Sequence, residues 1–190
     1  MINEAIKLGV TDIGENKVQE IEEKYDKIEG NVRWHMIGHL QSNKVKYIID
    51  KVSLIHSLDR KSLAKEIQKR AEQNNIVAEV LVQVNVSEEE SKFGLKVEET
   101  LPFIESLDKY KNIKVMGLMT MAPHVEDVEK TRPVFKKLRE LSEEIKAKNF
   151  ENTEMKYLSM GMTNDYQVAL EEGANLVRVG TGIFGERIYN

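Results

Sequence analysis

Leu158-Ser159-Met160-Gly161-Met162-Thr163 and Leu176-Val177-Arg178-Val179-Gly180-Thr181-Gly182-Ile183-Phe184-Gly185 are the two stretches that decide the fold. Each is a short apolar run that ends in a turn of glycines and hydroxyl residues. Alternation in the second run puts Val177 and Val179 on one face, and Leu176, Arg178 and Gly180 on the other. A buried arginine keeps its proton and needs an acceptor. Gly180-Thr181-Gly182 offers backbone N–H groups and a hydroxyl, which suit a phosphate. The plainer alternative is a glycine-rich turn beside an arginine paired with a carboxylate.

The pattern of a strand followed by a helix repeats back through the chain. Residues 2–8 have helical spacing, with Gly9 placed to end the helix. Residues 11–15 predict a strand, followed by a helix over 16–26. Residues 32–38 predict the next strand, and Ser42 is a candidate cap for the helix after it. Residues 52–56 follow as a strand, with Ser57 or Asp59 starting a helix that carries Leu63, Ile67 and Ala71 on one face. Residues 77–86 form the clearest strand, with Val80, Val82, Val84 and Val86 opposite Leu81, Gln83 and Asn85. The helix beyond has the stripe Leu101, Ile104 and Leu107. Residues 113–121 predict a strand. The next helix has Pro133 in its first turn and the stripe Phe135, Leu138, Leu141 and Ile145. Tyr157-Leu158 predicts a short strand, residues 164–172 a helix ending at Gly173, and residues 176–179 the last strand.

Regular alternation of this kind predicts a parallel sheet with helices outside it, in one domain over 1–190. Seven strands are predicted. A TIM-type (β/α)8 barrel has eight strands and about 200–250 residues, so the chain is one βα unit short and opens on a helix. A doubly wound open sheet is the alternative, but no GxGxxG follows the first strand.

Composition narrows the partners. The chain is 41% apolar and 32% charged over 190 residues, with a net charge of −4. That balance gives no support for nucleic acid or an anionic membrane surface. No apolar run approaches the ~18 residues of a membrane span, and the N-terminus has no signal-peptide core. The chain has no cysteine, so it has no disulfide, thiolate metal site or cysteine nucleophile, which fits a cytoplasmic protein.

In a parallel barrel, function gathers at the C-terminal ends of the strands. Those ends carry Gly14-Glu15-Asn16, residues 35–41, His56-Ser57, Gln83-Val84-Asn85, Met119-Thr120-Met121, residues 159–163 and residues 178–182. His35 and His39 stand four apart, a zinc spacing on a helix, but here they flank a strand end and the turn at Gly38, with no third ligand. His35, and His56 one strand later, are placed to donate to a ligand or to sit satisfied at the mouth. His124 is a loop residue. Ser159 lacks a nucleophile elbow and fits a phosphate-binding hydroxyl better. Met160 and Met162 lie within the suspected phosphate turn.

Taken together, these motifs resemble the pyridoxal phosphate homeostasis proteins. The resemblance rests on Gly14-Glu15-Asn16-Lys17-Val18-Gln19-Glu20, Trp34 to Lys44, Val84-Asn85-Val86, Ser91-Lys92-Phe93-Gly94, Met116-Gly117-Leu118-Met119, Ser159 to Met162 and Arg178 to Gly185. It runs almost end to end, in order. It implies an alanine racemase N-terminal-domain-like α/β barrel that binds pyridoxal 5′-phosphate at its mouth. The family has no established turnover, and its role is cofactor homeostasis in the cytoplasm. By that resemblance Ser159, Gly180 and Thr181 hold the phosphate, and Arg178 faces the pyridine nitrogen. Asn16, His35 and Met160 lie around the ring.

One feature of the family is not matched. Its Schiff-base lysine lies near the end of a first strand, in an Ala-Val-Ser-Lys-type segment that this chain does not contain. Lys17, Lys44 and Lys92 belong to other motifs. The resemblance therefore implies a family member without the N-terminal helix and first strand, binding the cofactor weakly and without a covalent anchor. Such a chain is a monomer or weak homodimer, with exposed strand edges open to self-association. Two alternatives remain: a racemase- or decarboxylase-like enzyme, which would ordinarily need a second β domain, or a barrel for another phosphate ester.

Overall fold

A computed structural model describes residues 1–185. The elements run α1 (Ile2–Lys7), β1 (Asp12–Glu15), α2 (Val18–Tyr25), β2 (Arg33–Met36), a 3-10 helix (Ser42–Tyr47), β3 (Leu54–Leu58) and α3 (Lys61–Gln73). There follow β4 (Ala78–Gln83), α4 (Val97–Glu105), β5 (Ile113–Met119), a second 3-10 helix (Val128–Thr131) and α5 (Arg132–Lys148). The chain then forms β6 (Thr153–Met162), α6 (Tyr166–Glu171), β7 (Leu176–Arg178) and the short α7 (Thr181–Phe184). All seven strands lie in one sheet in sequence order, and each neighbouring pair is parallel. The sheet curls into a nearly closed barrel with its helices outside. Among the described residues, β1 and β7 do not pair with each other.

Two apolar layers follow from strand alternation. Outward-facing Val80, Val82, Val115, Leu118 and Met160 pack with the helices in one continuous cluster. The stripe on α5 is buried as its spacing predicts: Phe135, Leu138, Leu141 and Ile145 all join that cluster. Each such side chain contributes about 1.5–3 kcal/mol on burial. Inward-facing Leu54, Leu81, Met116 and Met119 form a second, smaller cluster, with Tyr157 and Leu176 against it. That inner plug fills the barrel around its axis.

Four local expectations change. The helix after β2 is 3-10, and Ser42 is its first residue rather than its cap; Gln41 holds the cap position without a side-chain bond. Neither Ser57 nor Asp59 starts α3: Ser57 is buried within β3, and Arg60 holds the cap position. Leu107 is buried beyond the end of α4, which carries Pro102 within it. Most of all, β6 is ten residues long, not two. Its first half, Thr153-Glu154-Met155-Lys156, alternates with exposed charges and so lacks an apolar signature. Gly117 explains how β5 and β6 stay paired across a register shift. It sits at φ +146°, and a side chain there would collide with the Tyr157 backbone.

Candidate functional site

The inward faces of β1, β2, β3, β6 and β7 bring five polar side chains into one hydrogen-bonded chain. Asp12 Oδ1 lies 3.0 Å from His35 Nε2. His35 Nδ1 lies 2.9 Å from His56 Nε2. His56 Nδ1 lies 3.0 Å from Ser159 Oγ. Arg178 Nη1 donates to Ser159 Oγ at 2.5 Å, and Nη2 donates to the Thr120 carbonyl at 2.8 Å. Thr120 is fixed in turn, donating its hydroxyl to the Val84 carbonyl at 2.7 Å. At the far end, Arg33 Nη2 and the Thr11 hydroxyl donate to Asp12 Oδ2.

Burial decides the charge states along this chain. His56 and Ser159 are fully buried and His35 nearly so. Desolvation pushes the His35 imidazole below its ordinary 6.5 despite the Asp12 carboxylate beside it. Desolvation, with His35 and the Arg178 charge adding to it, pushes His56 much further down. Both rings are neutral near pH 7. Asp12 resists its partial desolvation because Arg33, Thr11 and His35 favour its charged form, so its carboxyl sits below the usual range. Arg178 keeps some surface toward the mouth, but its guanidinium lies deep. Burial draws that group down to about 10, with Asp165 opposing. It stays a cation at neutral pH. Among the described residues its hydrogen-bond acceptors are a hydroxyl and a carbonyl, and none of their carboxylates pairs with it.

Beside Arg178 the turns after β6 and β7 are tied together. Thr163 Oγ1 accepts from Gly182 N–H at 3.2 Å and lies 3.0 Å from Thr181 Oγ1. Gly180 and Thr181 are exposed at the start of α7. Among the described residues, no atom beyond the adjacent positions lies within 4 Å of where a Gly180 side chain would begin, so they leave the space above this turn open.

Of the residues singled out from sequence, Ser159 and Arg178 thus meet directly, His35 joins them through His56, and Gly180 and Thr181 lie at the adjoining turn. Asn16 is exposed in the loop after β1, and its backbone packs so closely on Gly38 that no side chain fits there. Met160 differs from expectation: its side chain is fully buried in the outer cluster, because even-numbered residues of this part of β6 face the helices. Only its backbone borders the mouth. Ser159 differs as well. Its hydroxyl is occupied by His56 and Arg178 rather than presented to solvent. Asp12 is not marked as a network residue by its type, because His35 and Arg33 lie 23 and 21 residues away in the chain, and Thr120 and Thr163 stand only among the polar strand ends, without a role. His39 stacks on Phe93 with centroids 3.8 Å apart and takes no part in the His35 chain. No group of three or more residues able to hold a metal occurs among the described residues.

Two surface grooves, one lined by Val52, Ser53, Val77 and Glu79 and the other by Asn149, Thr153 and Glu154, lie at the opposite, N-terminal ends of the strands. They gather no comparable polar constellation.

A nearly closed parallel barrel with a buried arginine on its last strand defines a class. The family model described as alanine racemase, N-terminal domain, matches residues 1–188. The pyridoxal phosphate homeostasis protein of Aquifex aeolicus is 50% identical over 190 residues, covering 100% of this chain and 82% of that protein. The protein of the same name from Haemophilus influenzae is 36% identical, covering 98% of this chain and 79% of its own length. PipY of Synechococcus elongatus, solved without PLP, superposes with a TM-score of 0.90 at 30% identity, covering 97% of this chain and 86% of that one. PipY with PLP bound gives 0.86 over the same shares, at 30% identity. The chain belongs to the pyridoxal phosphate homeostasis proteins within the alanine racemase N-terminal domain family. An alanine racemase of Clostridium difficile shares the fold at a TM-score of 0.79 and 16% identity, with 97% of this chain and 47% of that one covered.

Proposed function

We propose that this chain binds pyridoxal 5′-phosphate at the C-terminal mouth of the barrel and serves cofactor homeostasis in the cytoplasm without catalytic turnover. The observation that carries this is Arg178, pinned by Ser159 and Thr120 with its charge intact. The donor set fits the cofactor. Arg178 supports a pyridine nitrogen as a donor, and a cation there disfavours protonating that nitrogen. The linked turns at Thr163, Thr181 and Gly182, with the open space at Gly180, suit a phosphate. Asn16, His35 and the Met160 backbone would lie around the ring. Ser159 serves by holding Arg178, since its own hydroxyl is occupied.

When bound, the cofactor supplies an aldehyde and an electron-withdrawing ring. Arg178 would disfavour protonation of the ring nitrogen, which would weaken the ring as an electron sink and favour carriage over carbanion chemistry. Lys92 donates to Glu89 and to the Ala122 carbonyl, which keeps that ammonium from acting as a free nucleophile. The names of the relatives support the homeostasis role. We assign the chain one domain and a monomeric or weakly dimeric state, with no nucleic-acid or membrane partner; no helix among the described residues is long and apolar enough to cross a membrane.

The test is an absorbance titration of the 190-residue chain with pyridoxal 5′-phosphate, pyridoxal and inorganic phosphate. The expected result is preference for the phosphorylated cofactor and no consumption of added amino acids. Binding of another phosphate ester in preference to the cofactor would overturn the ligand. Turnover of an amino acid would overturn the non-catalytic role.

A further inference from the structure

The two ends of the buried chain can each act in one way only. Arg178 has donors and no acceptor; ionised Asp12 has acceptors and no donor. We propose that Asp12 is a positioning residue that sets the proton order of the whole chain, holding His35 and His56 as Nε2–H tautomers and leaving Ser159 a lone pair for Arg178.

Each link follows from the one before. Asp12 Oδ1 accepts, so His35 Nε2 carries a proton. A neutral His35 then has a bare Nδ1, so His56 Nε2 must donate to it. A neutral His56 has a bare Nδ1, so the Ser159 hydroxyl donates there. The oxygen of Ser159 is then free to accept from Arg178. The Arg178 end accommodates this order, since Ser159 keeps a lone pair for the guanidinium while its proton goes to His56. All four N–H and O–H bonds point from the last strand toward the first.

The reverse order fails on the same geometry. With His35 charged, its Nδ1 would donate to His56, and His56 would donate to Ser159. Ser159 would then accept twice, and its own proton would have no acceptor among the partners this hydroxyl has in the described residues. A second buried cation would also sit on the same chain as Arg178. Among the charged groups facing the rings, Arg33 and Arg178 disfavour a second cation, and Asp12 favours one on His35 but is outweighed by desolvation. Asp12 on β1 and Arg33 on β2 face His35, Arg178 on β7 faces His56, and Asp165 before α6 faces Arg178. The lowered imidazole values support this order.

The proposal does not depend on any ligand, so it is tested on the chain without cofactor. Long-range nitrogen-15 spectra distinguish protonated from bare imidazole nitrogens. The expected result for the unmodified chain at pH 7 is Nε2–H at both His35 and His56. In Asp12→Asn, the side-chain amide can donate as well as accept, and His56 is expected to lose its single Nε2–H signature although it does not touch residue 12. Nδ1–H or a charged ring at His56 in the unmodified chain would overturn the proposal. So would an unchanged His56 signature in a variant that retains the native backbone spectrum. A merely structural role for Asp12 would alter stability and leave the tautomer alone.

Discussion

His35 Nδ1 and His56 Nε2 face each other across 2.9 Å inside the barrel, so exactly one of the two nitrogens can carry a proton. Two neighbouring strands thus share one hydrogen, and adding a second must break the bond.

Acid should therefore weaken the fold. Both histidines bind protons less readily in the folded chain than at the ordinary 6.5, His56 much less so. Below pH 6.5 the unfolded chain takes up protons that the folded chain refuses, so stability is present above that value and falls as pH drops through the window below it. The slope should approach about 1.4 kcal/mol per pH unit for each histidine at its steepest. Urea unfolding between pH 7.5 and 5, at roughly half-unit steps, reads it. A variant lacking His56 should show the shallower dependence.

Replacing His56 by phenylalanine should cost stability beyond any change of shape. It leaves His35 Nδ1 and the Ser159 hydroxyl without their partner. Each orphaned buried group costs about 1–3 kcal/mol. Denaturant midpoints at pH 7 measure the loss; a change within error would show that these groups find other partners.

Arg178→Lys should lower affinity for pyridoxal 5′-phosphate by about 10- to 100-fold, the worth of a charge-assisted hydrogen bond. A lysine keeps the charge but loses the planar fork that grips Ser159 and Thr120 together. Cofactor titration checks it, and equal affinity would move the ring nitrogen elsewhere.

Thr163→Val should loosen the phosphate turn while sparing the ring. The change removes the hydroxyl that Gly182 N–H and Thr181 meet. The expected loss is about 1 kcal/mol of affinity for the phosphorylated cofactor, with little for pyridoxal. The ratio of the two dissociation constants is the readout.

Gly161→Ala should destabilise the docking of α6 on β6. Gly161 stands at φ +89°, and a methyl there would meet Ala169 Cβ at 2.6 Å and Tyr166 Cα at 2.9 Å. Strain and overpacking together predict a loss of about 2 kcal/mol or more, seen as a lower melting temperature.

Much of this architecture is legible in the residues themselves. Phe135, Leu138, Leu141 and Ile145 announce α5, and the alternation around Arg178 correctly turns Leu176 inward and Val177 outward. His35 and His56 are recognisable one by one as polar residues at strand ends. Their joining is not, because His56 and Ser159 are 103 residues apart and meet only when the sheet curls. Asp12 is hidden for the same reason: at the start of β1 it looks like a solvated carboxylate, and only the register with β2 brings it under His35. Met160 misleads because a turn-like sequence there is still strand, and strand parity sends it outward. The 3-10 helix at Ser42 escapes periodicity because three-residue turns leave a short segment without a stripe.

The direction shared by the bonds between Arg178 and Asp12 has an electrical consequence. Bond dipoles that pointed at random would cancel; these add, and neighbours in such a series polarise one another. The bond dipoles therefore add across the barrel with their positive ends toward the first strand, where the Asp12 carboxylate sits, and their negative ends toward the cationic Arg178. Each end of the series thus faces a fixed charge of the opposite sign, so the ordered dipoles help the barrel hold Arg178 and Asp12 ionised at its two edges.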